Sequence, residues 1–567
     1  MRPSCLSKIF FLAFSSIFLT TCSYENDTIV YDVVISDGLI YDGSGGAPYI
    51  GDVALKGGYI AAIGDIGVSV TNNYIDAEGK AVAPGFINML SWATTSLIED
   101  GRSMGDIKQG VTLEVFGEGW SMGPFSEKTV ASEHESQGDI KFDITWRTLG
   151  GYLDYLTQKG VSANVASFVG ATTVRINTIG FEDRAPTDVE LLDMQGQVRL
   201  AMEEGALGVG SSLIYAPAFY AKTDELIALN KVAAEYGGMY ISHMRSEGNK
   251  LLEAVEELIT ISKEANIPAE IYHLKAAGEH NWHKMDEVIA RVERARADGQ
   301  RITADMYNYI AGATGLDAAM PPWVQEGGYA AWAERLQDPE IRQRVKGEMS
   351  TNADDWESFF YAAGADKMIL SSFKNPNLRH LTGKTLAEAA KIRGSSPEET
   401  AMDLVIEDGS RVGVVYFLMT EENMHKKITQ PWVTFGSDAG SMATEGVFLN
   451  SNPHPRAYGN FARLLGKYVR EEGVISLEEA IKRLTSQPAQ NLSIRQRGSL
   501  VEGYHGDVVV FDPDTVGDRA TFSDPHQYAV GMEHVFVNGV QVLKNGEHTG
   551  ATPGQVVRGP GWLGWEK

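Results

Sequence analysis

The spacing of apolar and polar positions changes character twice along the chain. From residue 31 to about 79, apolar positions alternate with period two and are cut by Gly and Asp, as in YDVVISDGLIYDGSG and DVALKGGYIAAIG. That texture predicts short strands in a small all-β unit. It returns at the far end in GDVVVFDPDTV and EHVFVNGVQVLKNGEHTG. Between the two, short apolar runs alternate with stretches of helical period such as 250–265 and 285–297, the signature of a parallel sheet covered by helices. Strands are expected at 82–88, 110–118, 164–170, 206–213, 238–243, 269–274, 301–307 and 432–438. Eight would close a barrel, but 368–373 and 412–419 also read as strands and leave the count open. The fold class is therefore α/β. A (β/α)8 barrel is expected over 83–490, with an insertion or lid at about 310–430, and a small β-sandwich built from segments 24–82 and 491–567.

The first residues stand apart from this pattern. Arg2 and Lys8 flank an apolar run over 9–19, which is too short for a permanent membrane span and suits a signal-peptide core over 1–21. The run ends Leu19-Thr20-Thr21-Cys22, which resembles a bacterial lipobox and implies cleavage before Cys22 and its acylation. An ordinary signal peptide with an incidental cysteine is the alternative. The lipobox reading places the protein at the bacterial cell envelope, lipid-anchored to a membrane and extracytoplasmic. The only other cysteine is Cys5, so the mature chain would hold no disulfide and no thiolate metal ligand.

Composition changes this picture little. The 567 residues are 43% hydrophobic and 22% charged, ordinary for a globular protein. A net charge of −26 without any basic tract argues against nucleic acid as a partner, because phosphates need cationic neutralisation.

The chemistry gathers at strand ends. The run Trp432-Val433-Thr434-Phe435-Gly436-Ser437-Asp438 ends in a carboxylate, and two earlier runs end in His243 and His273. In a parallel barrel the C-terminal strand ends form the active-site mouth. Two imidazoles and a carboxylate there suggest metal-assisted hydrolysis, with zinc as the first choice of ion. Taken singly, each residue reads more readily as a satisfied polar group at a strand end; the ordered set favours the metal.

With these residues in view, the chain resembles the N-acyl-D-amino-acid deacylase (D-aminoacylase) family of the amidohydrolase superfamily. The resemblance runs through APGFIN (83–88), QGVTLEVFGEG (109–119), YISHMRSEG (240–248), YHLKAAG (272–278), TADMYNYIAGATGL (303–316), GSDAG (436–440) and HPRAYGNFARLLGKYVRE (454–471). It implies zinc held by His243 and His273 on strands five and six, with Asp438 on strand eight as general base. It also implies a cationic and hydroxyl grip on a substrate carboxylate, for which Lys275, Tyr307 and Arg456 match; His454 could support them. His280 and His283 lie in a polar stretch and read as surface residues.

The departures are as informative. Members usually carry a His-x-His pair after the first strand, where this chain has Leu90 and Trp92, and the strand-two cysteine is absent. A second resemblance, to N-acetylglucosamine-6-phosphate deacetylases, implies a strand-two glutamate as ligand. Glu118 fits that place, and Glu114 has the same facing by period two but lies four residues deeper. The expectation is one zinc per chain, on Glu118, His243 and His273, with a small N-acyl amino acid, D in configuration, as substrate. Alternatives are hydrolysis of a cyclic amide, dipeptide or lactone, or an inactive barrel used for binding. The joint presence of Glu118, His243, His273 and Asp438 weighs against the last. Oligomeric state is not legible.

Overall fold

The computed structural model describes residues 30–67, 70–71, 73–353 and 355–565; the leader and Cys22 lie outside them. Eight parallel strands carry the middle of the chain: Phe86–Asn88, Val111–Phe116, Asn164–Ser167, Gly208–Ser212, Met239–His243, Ala269–Ile271, Ile302–Met306 and Val433–Phe435. Each pairs with the next in parallel register. The third resumes after Phe168 as Val169–Gly170 and reaches the fourth through that piece. Strand eight then meets strand one. The Met89 N–H donates to the Phe435 carbonyl at 3.3 Å, Ser91 bridges Ala439, and the Ser437 N–H donates to Asn88 Oδ1 at 2.8 Å. The ring is closed, as the eight-run pattern predicts.

Alternate residues fill its interior. Ile87, Leu113, Val115, Ala166, Ile241 and Tyr272 form one buried cluster inside the ring, while neighbours such as Phe116 and Val165 face the helices. The helix Leu251–Ala265 buries Leu251, Ala254, Val255, Leu258 and Ile261, a stripe at helical spacing that packs on the barrel. Leu251, Val255, Leu258 and Ile261 each contribute about 1.5–3 kcal/mol when fully buried. Asn266 in the left-handed region ends this helix, a conformation asparagine tolerates better than most residues.

The barrel strands are all shorter than the expected segments, and at three of them the difference shapes the site. Residues 82–88 split at Pro84-Gly85: Ala81–Pro84 joins the terminal β unit, and only Phe86–Asn88 enters the barrel. A Cβ on Gly85 would meet the Thr112 side chain at 2.1 Å, so only glycine lets the chain cross here. Strand six stops at Ile271 and strand eight at Phe435. His273 and Asp438 therefore sit on turns just past their strands rather than within them.

The two chain ends meet in one sheet. Ala81–Pro84 pairs antiparallel with Val508–Phe511, joining amino- and carboxy-terminal strands in one nine-stranded sheet. Ile35, Val53, Leu55, Val82, Val508 and Phe536 share its core, whereas Ala81, Ala83, Val509 and Phe511 turn to the barrel side. Period-two alternation thus gives the sheet two buried faces.

The runs at 368–373 and 412–419 are strands, but not barrel strands. Met368–Ser372 and Ala311–Gly315 flank Gly413–Phe417 in a separate antiparallel sheet. Ala311–Gly315 follows strand seven directly and forms a wall beside the mouth. Among the described residues, no helix is long and apolar enough to cross a membrane.

Candidate active site

At the mouth, Glu118, His243 and His273 converge. Glu118 Oε1 lies 2.9 Å from His243 Nδ1 and 2.9 Å from His273 Nε2. All three side chains are buried, and together they form the one group of three such ligands within mutual reach among the described residues. Two imidazoles and one carboxylate are a donor set that zinc accepts. His243 presents Nδ1, and His273 Nε2, to the same carboxylate oxygen, so one nitrogen of each ring faces a common point. The residues fit a divalent ion.

Glu118 reaches this place because the strand bends. Strict alternation would turn it outward with Glu114, but Gly117 adopts φ +107° just after Phe116. A Cβ there would lie 2.4 Å from the Phe168 carbonyl, so glycine is required. Past that bend Glu118 points into the mouth. Glu114 instead faces the helix layer, accepting a hydrogen bond from Ser91 Oγ at 2.6 Å. Its shared facing with Glu118 does not survive folding, and Glu114 is excluded from the histidine pair.

His273 is held from its backbone. It has φ +35°, and its N–H donates to Asp305 Oδ1 at 2.8 Å. Asp305 is buried on strand seven, and it carried the same signal as Asp438: a carboxylate ending an apolar run.

A fourth acidic residue, Glu247, escaped the sequence reading. Its carboxylate lies 3.0 Å from His273 Nδ1 and 3.5 Å from His243 Nε2. It therefore faces the nitrogens turned away from Glu118, the place where a partner fixes the tautomer of a metal-ligating histidine. Nothing in HMRSEG marks Glu247, because its position depends on the turn after strand five. Lys275 Nζ donates to Glu247 at 2.5 Å and lies 2.7 Å from His273 Nδ1. Its charge is thus engaged within the site.

Asp438 follows strand eight at φ +49°, its N–H donating to the Leu90 carbonyl at 2.8 Å. Arg456 Nη1 lies 2.9 Å from Asp438 Oδ2. The Trp92 indole N–H is shared between Glu118 Oε2 at 2.9 Å and Asp438 Oδ1 at 3.1 Å. The sequence reading identified Trp92 only as a residue unable to bind metal. Leu90 is buried in the barrel cluster.

Tyr307 lies between the cations, with Arg456 4.3 Å and Lys275 5.7 Å from its ring. Its hydroxyl is buried without a partner. His454 is buried, donating from Nε2 to the Ala311 carbonyl at 2.9 Å and accepting the Arg456 N–H on Nδ1 at 3.0 Å. It thereby fixes where the helix Arg456–Arg463 begins. His280 and His283 are exposed.

The electrostatics follow from this crowding. Burial and Lys275 push the His273 pKa down, but Glu118, Glu247 and Asp438 outweigh them and raise it to about 10. Burial opposes ionisation of Glu118, yet the two imidazoles hold it well below the ordinary carboxylate range. Burial lifts Asp438 above its ordinary value, with Arg456 drawing it back. The site therefore attracts a cation and carries one carboxyl suited to exchange a proton.

A profile of the amidohydrolase family matches residues 73–543. The chain belongs to the amidohydrolase family. Within it the likeness is to the D-aminoacylase branch. An N-acyl-D-aspartate deacylase of Alcaligenes xylosoxydans xylosoxydans is 31% identical over 539 residues, spanning 94% of this chain and 97% of that relative. The crystal structure of an N-acyl-D-glutamate deacylase from Bordetella bronchiseptica, complexed with zinc and a phosphonate mimic of the tetrahedral intermediate, is 30% identical with a TM-score of 0.77. It covers 94% of this chain and 100% of that one. A D-aminoacylase structure described as having a binuclear metal centre, with one-metal activation and second-metal attenuation, gives the same TM-score and identity over 93% of this amidohydrolase and all of that chain.

Proposed function

We propose that this amidohydrolase removes the acyl group from N-acyl-D-amino acids, using one zinc ion held by Glu118, His243 and His273. The carrying observation is the convergence of those three buried side chains on one point, with Asp438 linked to Glu118 through a shared indole donor. The likeness to deacylases over nearly the whole chain supports the substrate class.

When bound, zinc would supply a Lewis acid for the amide carbonyl and bring the attacking water's pKa down toward about 7. The protein does the rest. Asp438 accepts the water proton and returns it to the leaving amine, the base and then acid role of a single carboxyl. Arg456 and Trp92 each hold one of its oxygens, so the carboxylate is oriented before substrate arrives. Glu247 backs the His273 ring from behind, 3.0 Å from Nδ1. The partnerless Tyr307 hydroxyl and the Arg456 Nε, also without a partner, are free to take the substrate carboxylate, with Lys275 adding positive charge nearby. Arginine and hydroxyl donors suit that anion.

The test is metal analysis of the purified chain, followed by a panel of N-acyl-D- and N-acyl-L-amino acids. About one zinc per chain and preference for the D series are expected. Occupancy near two ions, or turnover confined to cyclic amides, would overturn the respective part.

Location is a separate proposal, carried by Leu19-Thr20-Thr21-Cys22: the protein is anchored at the envelope through acylated Cys22. One acyl chain binds membranes only marginally, so the mature form should carry more than one. Cys22→Ser should release the protein from the membrane fraction, and an unmodified mature N-terminus by mass spectrometry would refute the anchor.

A further inference from the structure

Glu118 and Asp438 place two carboxylates side by side in a buried site. Such neighbours repel, and something must sit between them. In many hydrolases that something is a second cation. Here it is a neutral donor: the Trp92 indole N–H, 2.9 Å from Glu118 Oε2 and 3.1 Å from Asp438 Oδ1.

We infer that Trp92 is a positioning residue of the reaction, whose indole N–H fixes Glu118 and Asp438 relative to each other. This rests on the single-zinc deacylase reading and deepens it.

The geometry is set by the closure of the barrel. The Trp92 N–H donates to the Ala439 carbonyl at 3.0 Å, and the Asp438 N–H donates to the Leu90 carbonyl at 2.8 Å. Two main-chain hydrogen bonds therefore fasten the segment after strand one to the turn after strand eight, on either side of the indole. A rigid two-ring side chain on a fastened backbone has little freedom to drift, so the donor stays aimed at both oxygens. The division of labour within Glu118 follows. Oε1 faces the two imidazoles, and Oε2 is committed to the indole. With Oε2 so engaged, Glu118 is not free to bridge two ions. Arg456 completes the arrangement on Asp438 Oδ2. One oxygen of the base accepts a hydrogen bond from the indole and the other faces an ion-pair partner, and neither partner can dissociate from the chain.

Trp92→Phe keeps an aromatic ring and removes the N–H; Trp92→Gln gives up the ring and restores an N–H donor. Both are made in the full chain loaded with zinc, and melting curves confirm folding. Partners behind metal ligands are typically worth about 10–100-fold in metal affinity or activity. For Trp92→Phe, kcat on an N-acyl-D-amino acid should fall by about that factor and KM change by less than about threefold. Zinc should remain near one per chain but be lost more readily to a competing chelator. Trp92→Gln should recover part of both kcat and zinc retention, which a purely packing role would not allow. If Trp92→Phe matches the unaltered chain in kcat and zinc retention, or if Trp92→Gln is no better than Trp92→Phe, the inference is wrong. A failure of the deacylase reading appears elsewhere: the unaltered chain itself would lack zinc or turnover.

Discussion

Glu114 and Glu118 lie four residues apart in one run, and folding sends them to opposite environments. Glu118 passes the Gly117 bend and meets an indole donor and two imidazoles, and against burial the imidazoles keep it ionised. Glu114 stays on the outer face of the barrel, buried beside Asp106 with Ser91 as its donor; burial and the Asp106 charge raise its pKa well above the usual range. Asp106 is likewise pushed up by burial, to about 7. The lesson is that a buried carboxylate joins an imidazole pair or stays apart as a structural acid according to its partners, and backbone geometry chooses the partners.

The strongest way to break this comparison is to delete the proposed ligand. Glu118→Ala should abolish zinc binding and turnover together, as should His243→Ala and His273→Ala, read by metal analysis and assay side by side. An active, zinc-loaded Glu118→Ala chain would remove the site as described. Asp438→Asn separates metal from base: zinc should stay, and the rate should fall by about 10²–10⁴-fold, because an amide cannot carry the proton. Loss of zinc in that variant would instead make Asp438 a ligand.

The other carboxylate predicts little change in chemistry. Glu114→Gln should leave zinc content unchanged and turnover within about twofold, since surroundings remote from the reacting atoms rarely alter the barrier. A collapse of metal binding there would return Glu114 to the candidate ligands. The smallest effect concerns pH. Asp106 is raised above its unfolded value of about 3.9, so it stabilises the fold below that pH and loses this contribution as pH rises through about 7. Asp106→Asn lacks the loss. Its melting temperature relative to the unaltered chain should climb by on the order of 2 °C between pH 4 and 8. A flat difference would show that the Asp106 and Glu114 pair is not held protonated.

Much of the fold was legible in the alternation of apolar runs. The eight barrel strands fall within the expected segments, and the β-textured ends share one sheet. What the runs could not mark was where a strand stops and a turn begins. Apolar character continues through Tyr272 and into Gly436, whereas pairing ends at Ile271 and Phe435. Nor could they separate the antiparallel strands of the insertion from barrel strands, since both are short and buried.

By itself, then, the sequence determined the fold class and which strand ends carry His243, His273 and Asp438, because period and strand order are local or sequential properties. It also determined that Leu90 and Trp92 cannot ligate metal, which is a matter of side-chain chemistry. Only the tertiary structure decided that Glu118 rather than Glu114 joins the histidines, that Glu247 stands behind them, that Arg456 lies on Asp438, and that Trp92 spans two carboxylates. Those contacts join segments up to hundreds of residues apart across the closing edge of a barrel. Their geometry is set by a bend at one glycine and two main-chain hydrogen bonds, which leave no periodic trace in the order of residues.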